Sequence, residues 1–449
     1  MTGPLTPPQR PPAGDLPSVA ADARPDRRSF LRRSVVMGSA LGSVAGAVAG
    51  TSPATPVAAP AAAGGTLMDP ALPMPWRSQP GRPFTDYGLP SPHEGQAVRR
   101  TGLNFRHVDG NGAAWTPLER LEGSLTPNGL HFVRNHNGTP EIDPAHHRLQ
   151  VHGMVRQPLS FDIEALQRYP LRSQQIFLEC GGNSSQGWAE EPVQRPASLV
   201  HGLLSCSEWT GVPLALLLDE AGIDPRAAWV IATGADAGAL HMSLPIAKAR
   251  DDCLVALFQN GERLRPENGY PVRLIVPGWK GVMSVKWLAS LQLADQPAMG
   301  RNETARYTEP LPAGPARQFS FVMEVKSLIT TPSHGHSLAG PGFHEIRGLA
   351  WSGRGRIRRV EVSSDGGVQW TEAVLQAPVQ PRCLTRFRAA WQWDGRPCVL
   401  KSRAIDETGA AQPTREALIA ERGSRGTYHY NAIVAWDVDG HGYVSHTHD

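Results

Sequence analysis

Residues 176–188 read IFLECGGNSSQGW, an apolar run that ends on one cysteine and opens into two glycines. The run has the composition of a buried strand, and the glycines that follow mark a turn. A cysteine at the end of such a strand is ordinarily a small core residue. Whether Cys180 is more than that depends on what the rest of the chain brings to it.

At 449 residues, 40% of them hydrophobic, the chain is long enough for two folded units with sizeable cores. The formal charge of +3 is nearly balanced, and no Lys/Arg-rich block occurs beyond the N-terminus, which argues against a nucleic-acid-binding face. The five cysteines, Cys180, Cys206, Cys253, Cys383 and Cys398, include no C-x-x-C pair, so spacing gives neither a zinc site nor a covalent haem site. An odd count leaves at least one thiol unpaired, and sequence does not say which others pair.

The N-terminus carries DRRSFLRR at 26–33, then the 16-residue VVMGSALGSVAGAVAG and small residues. A charged segment followed by a short apolar one is an export signal, too short and too weakly apolar for a membrane span. Arg27 and Arg28 with Phe30 and Leu31 mark the twin-arginine type, which predicts a periplasmic protein exported folded and carrying a cofactor. Signal and linker are assigned to 1–65. The chain remains rich in Pro, Ala and Gly to about residue 100, where no regular structure is expected.

Between about 101 and 300, strand-like runs (HRLQVHGMV, QQIFLEC, AAWVIATGA, YPVRLIVPG) alternate with helix-like ones (FDIEALQRY, PLALLLDEAG, SLPIAKARD). Leu214, Leu217 and Leu218 form a core stripe, with Gly222 as the helix stop. After about 310 the pattern becomes alternating short strands, with hairpin turns expected at Asp365-Gly366-Gly367 and Asp394-Gly395. The fold class is α+β: a mixed α/β domain over 66–305 followed by an antiparallel sandwich over 306–449.

Three stretches of the first domain carry polar residues in apolar settings. HFVRNHNGTPEIDP (131–144) sets Arg134, Asn135 and His136 in a row, ENGYPVRLIVPGWKG (267–281) holds Asn268 and Arg273, and SVKWL (284–288) holds Lys286. Singly, each has an ordinary reading as a solvated or snorkelling side chain. In this order around Cys180, they resemble the sulfite oxidase family of molybdopterin enzymes. The resemblance runs from about 100 to 440. AWSGRGRIRRVEVSSDGG (350–367) and KSRAIDETGAAQPT (401–414) are similar to that family's immunoglobulin-like dimerisation domain. HGLLSCSEWTGVPL, RPENGYPVRLIVPGWKG, FVMEVKSLITTPS and TYHYN resemble its sulfane dehydrogenase (SoxC) branch.

The resemblance implies a molybdenum–molybdopterin cofactor with Cys180 as the protein thiolate on the metal, a role that suits a soft, deprotonated sulfur. It implies that Phe132, Val133, Arg134, Asn135, His136, Asn268, Arg273, Ser284, Val285 and Lys286 hold the pterin and its phosphate. Arg273 and Lys286 supply charge-assisted donors, and Arg134 also faces the substrate. No role is assigned to Trp188, His241 or His429.

Sulfite-oxidising relatives follow the ligand cysteine with arginines; here Gly181, Gly182, Asn183, Ser184 and Ser185 follow it, and Leu257 is expected where those enzymes carry a tyrosine. Both departures favour a sulfane sulfur on the cysteine of a carrier protein (SoxYZ-like) over free sulfite. The chain has no CxxCH motif, so no haem is expected in it and a c-type cytochrome subunit (SoxD-like) is expected as electron acceptor, with the sandwich forming a homodimer. The alternatives are a periplasmic sulfite dehydrogenase, a non-catalytic exported binding protein, and a methionine-sulfoxide reductase, whose relatives lack the second domain.

Overall fold

The computed structural model describes residues 80–448 apart from 104–106, 109, 425 and 427. The export signal expected over 1–65 lies outside the described residues. From Thr85 to Asp449 the chain forms one compact unit. No helix among the described residues is long and apolar enough to cross a membrane.

The first half is built on two five-stranded sheets. In one, Arg172–Glu179 pairs with Leu204–Pro213, which pairs with Leu254–Gln259; the latter also carries Glu262–Arg263 and Arg273–Ile275. The other runs Leu159–Phe161, Leu149–Gly153, Leu288–Ala294, Trp229–Gly234, His241–Pro245. Leu149–Gly153 and Leu288–Ala294 are parallel to each other. The three helix-like runs become Ile163–Gln167, Leu214–Ala221 and Ile246–Asp251. Asp162 caps the first by accepting the Ala165 N–H. The second buries Leu214, Leu217 and Leu218 and stops at Gly222, whose φ of 71° suits glycine.

The second half is a sandwich of two antiparallel sheets. One holds Lys326–Thr331, Gly342–Trp351, Thr385–Trp393 and Val374–Leu375; the other holds Thr371–Glu372, Ile357–Ser363, Cys398–Asp406, Ala435–Val438 and Val444–Thr447. The hairpin at 365–367 forms, because the Asp365 carboxylate accepts the N–H groups of Val368 and Gln369 and closes the turn. The turn at Asp394-Gly395 does not make a hairpin. It passes the chain from Thr385–Trp393 in one sheet to Cys398–Asp406 in the other. Alternation within each strand is the same in both topologies, so the pattern alone did not separate a hairpin from an arch.

The sandwich core joins Leu328, Ile346 and Leu349 of one sheet to Val360, Leu400 and Trp436 of the other, and it continues into Phe177, Leu204 and Cys206 of the first half. The strand that leads to Cys180 is therefore clasped on two sides. Phe177 pairs with Cys206 across the sheet, and its N–H donates to the Arg382 carbonyl at 3.0 Å.

Candidate active site

Cys180 is the first residue beyond the strand Arg172–Glu179. Its N–H donates to the Leu203 carbonyl at 3.0 Å, and its own carbonyl accepts the Asn183 N–H at 2.9 Å, which turns the chain sharply. The polar side chains of that turn point inward. Asn183 Nδ2 donates to Glu179 Oε1 at 2.9 Å while its Oδ1 accepts the Leu203 N–H at 3.0 Å. Ser184 Oγ lies 2.6 Å from His201 Nδ1 and accepts from Lys326 Nζ at 2.5 Å. Glycine is required next to the thiol by close approach. A Cβ on Gly181 would come within 2.9 Å of the Tyr307 ring, and one on Gly182 within 3.3 Å of the Tyr428 ring.

The thiol opens onto a cleft of about 720 Å³. Phe132, Val133, Arg134, Asn135 and His136 line one side, and Arg273, Ser284, Val285 and Lys286 the other, with Tyr307 beside Cys180. Asn268 is the one sequence-derived site residue absent from the wall. It is buried behind it, where its carbonyl accepts from Arg273 Nη1 at 2.9 Å and its Nδ2 donates to Gln259 Oε1 at 2.9 Å.

Short, interlocked elements fix these side chains. Val133–Asn135 is the edge of a three-stranded sheet, Leu274 N–H donates to the Val285 carbonyl at 2.9 Å, and Ser284 Oγ accepts the Val276 N–H at 3.0 Å. Arg273 is buried, with Nε donating to the Ser284 carbonyl at 3.2 Å and its guanidinium 5.3 Å from the Trp209 ring centre. Lys286 donates to the Glu267 carbonyl at 3.1 Å and to the Asn135 side chain, and lies 4.5 Å from the Trp287 ring centre.

Among the described residues, Arg134, Arg273 and Lys286 make no ion pair with a carboxylate. Desolvation brings Arg273 down to about 9. Desolvation and then the Arg273 charge push Lys286 well below the usual lysine range. His136 stands on the open rim, held down at about 4 by partial desolvation and then by Arg134. Cations left without a carboxylate partner in a desolvated wall favour an anionic ligand. Two polar atoms buried behind that wall, Asn268 Oδ1 and His131 Nε2, lack any hydrogen-bond partner. A thiol, an anion-seeking wall and spare buried polar atoms together fit a phosphate-bearing, sulfur-ligated metal cofactor. Burial raises the Cys180 thiol, with the Gly182 N–H and the Arg134 charge opposing it; a metal cation adds the charge that deprotonates a ligand thiol.

Two phenols complete the site. The rings of Tyr307 and Tyr428 stand 5.2 Å apart. Burial, followed by the Cys180 charge, pushes Tyr307 well above the usual phenol range, so it stays protonated; burial also raises Tyr428. Tyr428 lies within TYHYN, and no local pattern distinguishes Tyr307 in RNETARYTEP. Leu257, by contrast, is fully buried in the core with Leu274 and Leu288 and does not line the cleft. Its strand turns that side chain into the core, so the expected loss of a polar contact there is corrected: Tyr307 supplies a phenol beside Cys180.

Trp188 packs edge-on against Tyr430 at 5.2 Å, and His241 Nδ1 lies 3.2 Å from the Ala239 carbonyl; neither lines the cleft. His429 is buried with both ring nitrogens unpartnered, and its backbone N–H donates to the Gly181 carbonyl at 2.8 Å. Beneath the cysteine, Glu179 accepts from Trp351 Nε1 at 2.6 Å and lies 3.5 Å from Lys326 Nζ. The sandwich thus supports the turn after Cys180 directly.

Comparison with known proteins gives the family. Residues 136–302 match the oxidoreductase molybdopterin binding domain, and residues 317–436 match the Mo-co oxidoreductase dimerisation domain. The crystal structure of the sulfane dehydrogenase SoxCD from Paracoccus pantotrophus superposes with a TM-score of 0.82 at 41% identity, over 85% of this chain and 99% of that one. The mitochondrial sulfite oxidase of Mus musculus is 31% identical over 320 residues, 67% of this chain and 58% of its own length. The NADH nitrate reductase of Solanum lycopersicum is 32% identical over 62% of this chain and 34% of its own. The chain belongs to the sulfite oxidase family of molybdopterin oxidoreductases, and its cofactor is molybdenum on molybdopterin. It spans 58% of the length of the mouse sulfite oxidase.

Proposed function

We propose that this protein oxidises a sulfane sulfur presented on the cysteine of a SoxYZ-like carrier protein and passes the electrons to a c-type cytochrome. When bound, the molybdenum centre supplies the two-electron acceptor and the oxygen that ends on the substrate sulfur. Cys180 holds the metal as thiolate. Phe132 to His136, Arg273 and Ser284 to Lys286 grip the pterin and its phosphate, with Asn268 setting Arg273 from behind. Arg134 steadies negative charge developing on the substrate, where a fixed cation acts on the transition state more than on the ground state. Tyr307, kept protonated, donates a hydrogen bond to the oxygen gained by the substrate sulfur.

One observation carries the choice of substrate. The turn after Cys180 offers the cleft no cationic side chain: Gly181 and Gly182 have none, and Asn183 and Ser184 are spent inward. Beside the thiol stand the phenols Tyr307 and Tyr428. An aromatic flank beside the thiol suits a sulfur chain on a long arm better than a small dianion, and the 41%-identical structure is a sulfane dehydrogenase. We further place the protein in the periplasm, exported folded by the twin-arginine signal at 26–33, as a homodimer through the 317–436 segment.

Free sulfite is the second reading. It is favoured by Arg134, whose charge acts on Cys180, and by Arg306, whose charge reaches Tyr428. The test measures cytochrome c reduction by the purified oxidised protein with either carrier-bound sulfane or sulfite. Turnover with the carrier substrate and at least tenfold less with sulfite supports the sulfane reading; faster turnover with sulfite overturns it. Cys180→Ser abolishes turnover with both.

A further inference from the structure

We infer that Cys206 and Cys383 are a redox pair that closes into a disulfide between the molybdopterin-binding half and the sandwich. Their sulfurs lie 3.3 Å apart although the residues are 177 positions apart in sequence. Both residues are buried. Neither remaining candidate is comparable: Cys253 Sγ is engaged with the Lys248 carbonyl at 3.3 Å, and Cys398 is half-buried in the strand Cys398–Asp406.

The backbone holds both residues in place. Cys206 N–H donates to Thr126 Oγ1 at 3.2 Å, and its carbonyl accepts the Thr126 N–H at 2.7 Å. The segment before Cys383 is fastened by Arg382 to Asp252 at 2.8 Å, by the Arg382 carbonyl to Phe177 N–H, and by Gln380 to Gln175 at 3.1 Å. Closing the sulfurs to about 2.05 Å requires side-chain rotation and little backbone movement.

The roles are unequal. Burial pushes the Cys206 thiol far up, whereas a hydrogen bond from Cys206, together with the Leu384 N–H and Ser124, lowers Cys383. Cys383 is therefore the more readily deprotonated of the two and the first nucleophile. With hydrogen peroxide as oxidant, the Cys383 sulfur attacks one peroxide oxygen, the O–O bond breaks, and the sulfur becomes a sulfenic acid, releasing water after proton uptake. The Cys206 sulfur then displaces hydroxide from that sulfenic sulfur, and its proton leaves with the second water. Two thiols and one hydrogen peroxide give one disulfide and two waters, with the electron pair moving from sulfur to oxygen. The bond would tie Leu204–Pro213, the strand paired with the one that leads to Cys180, to the sandwich, independently of which substrate the enzyme takes.

The test uses the full-chain holoenzyme treated with hydrogen peroxide or with dithiothreitol, then denatured, alkylated and digested without reduction. Mass spectrometry is expected to show the alkylated Cys206 and Cys383 peptides falling together by at least tenfold after peroxide. A peptide joining the two should appear, and dithiothreitol should reverse it. Oxidation should raise Tm by on the order of 5 °C, since a long loop is closed in the unfolded chain, and should do so in wild type but not in Cys206→Ser. In that variant Cys383 should instead be trapped as a sulfenic acid by dimedone; if it does not fold, Cys383→Ala provides the Tm control. Both peptides remaining alkylated, or either cysteine joining a different partner, would overturn the assignment.

Discussion

Glu179→Gln is the perturbation that tests most sharply how the sandwich supports the turn after Cys180. Glu179 and Lys326 are each 1% exposed and 3.5 Å apart. At an effective dielectric constant near 20, the Coulomb attraction at that distance is about 5 kcal/mol, and removing one partner of a buried pair costs about 3–5 kcal/mol because the other charge is stranded. Glutamine also turns an N–H toward one of two donors that now point at the carboxylate, Asn183 Nδ2 or Trp351 Nε1. The expected loss is about 4 kcal/mol. For a unit of the size of Thr85–Asp449, unfolding entropy near 2.1 cal/mol/K per residue gives roughly 0.8 kcal/mol/K, so Tm should fall by about 5 °C. Scanning calorimetry of the holoenzyme, repeated with Lys326→Met and with the double variant, closes a thermodynamic cycle. The double variant should recover about 2 kcal/mol relative to the sum of the singles. Additivity within about 0.5 kcal/mol would refute the argument that pairing with Lys326 is what lets Glu179 stay buried under Cys180.

Three further outcomes follow from the same geometry. Gly181→Ala must push the Tyr307 ring, 2.9 Å from the new Cβ, and should cost about 1–3 kcal/mol while lowering kcat more than it raises KM; unchanged turnover would mean that Tyr307 does not act on the substrate. Arg273→Met and Lys286→Met should each reduce molybdenum bound per chain at least severalfold, read by metal analysis of purified protein, because both cations lack carboxylate partners; full occupancy in both would remove them from the cofactor site. His131 is held at about 3 when folded, first by burial. Below its unfolded value of 6.5 the unfolded state binds the proton that the folded state refuses. Stability should therefore fall as pH drops from 6.5, by up to about 1.4 kcal/mol per pH unit from this residue. His131→Phe, which keeps the ring packed between Phe132 and Trp209, should flatten a plot of Tm against pH between 6.5 and 4; an unchanged slope counts against the reading.

What the sequence determined by itself is local or motif-bound. Leu214, Leu217, Leu218 and the φ > 0 stop at Gly222 were legible because a helix repeats every 3.6 residues and glycine tolerates the left-handed cap. Asp365-Gly366-Gly367 was legible because the turn is closed by its own carboxylate. Cys180, Arg134, Arg273 and Lys286 stand in short ordered stretches, and the fold carries all four to one cleft. Tertiary structure alone decided the rest. Asp394-Gly395 became an arch because sheet membership depends on partners far away in sequence. Leu257 faced the core while Tyr307 and Tyr428 took the place beside the thiol, since which side of a wall a residue occupies is set by the packing of distant elements. The same holds for Cys206 and Cys383, and for Glu179 with Lys326. In each pair two residues more than 100 positions apart meet inside the core, and no periodicity in a chain records a contact that exists only after its two halves share one hydrophobic interior.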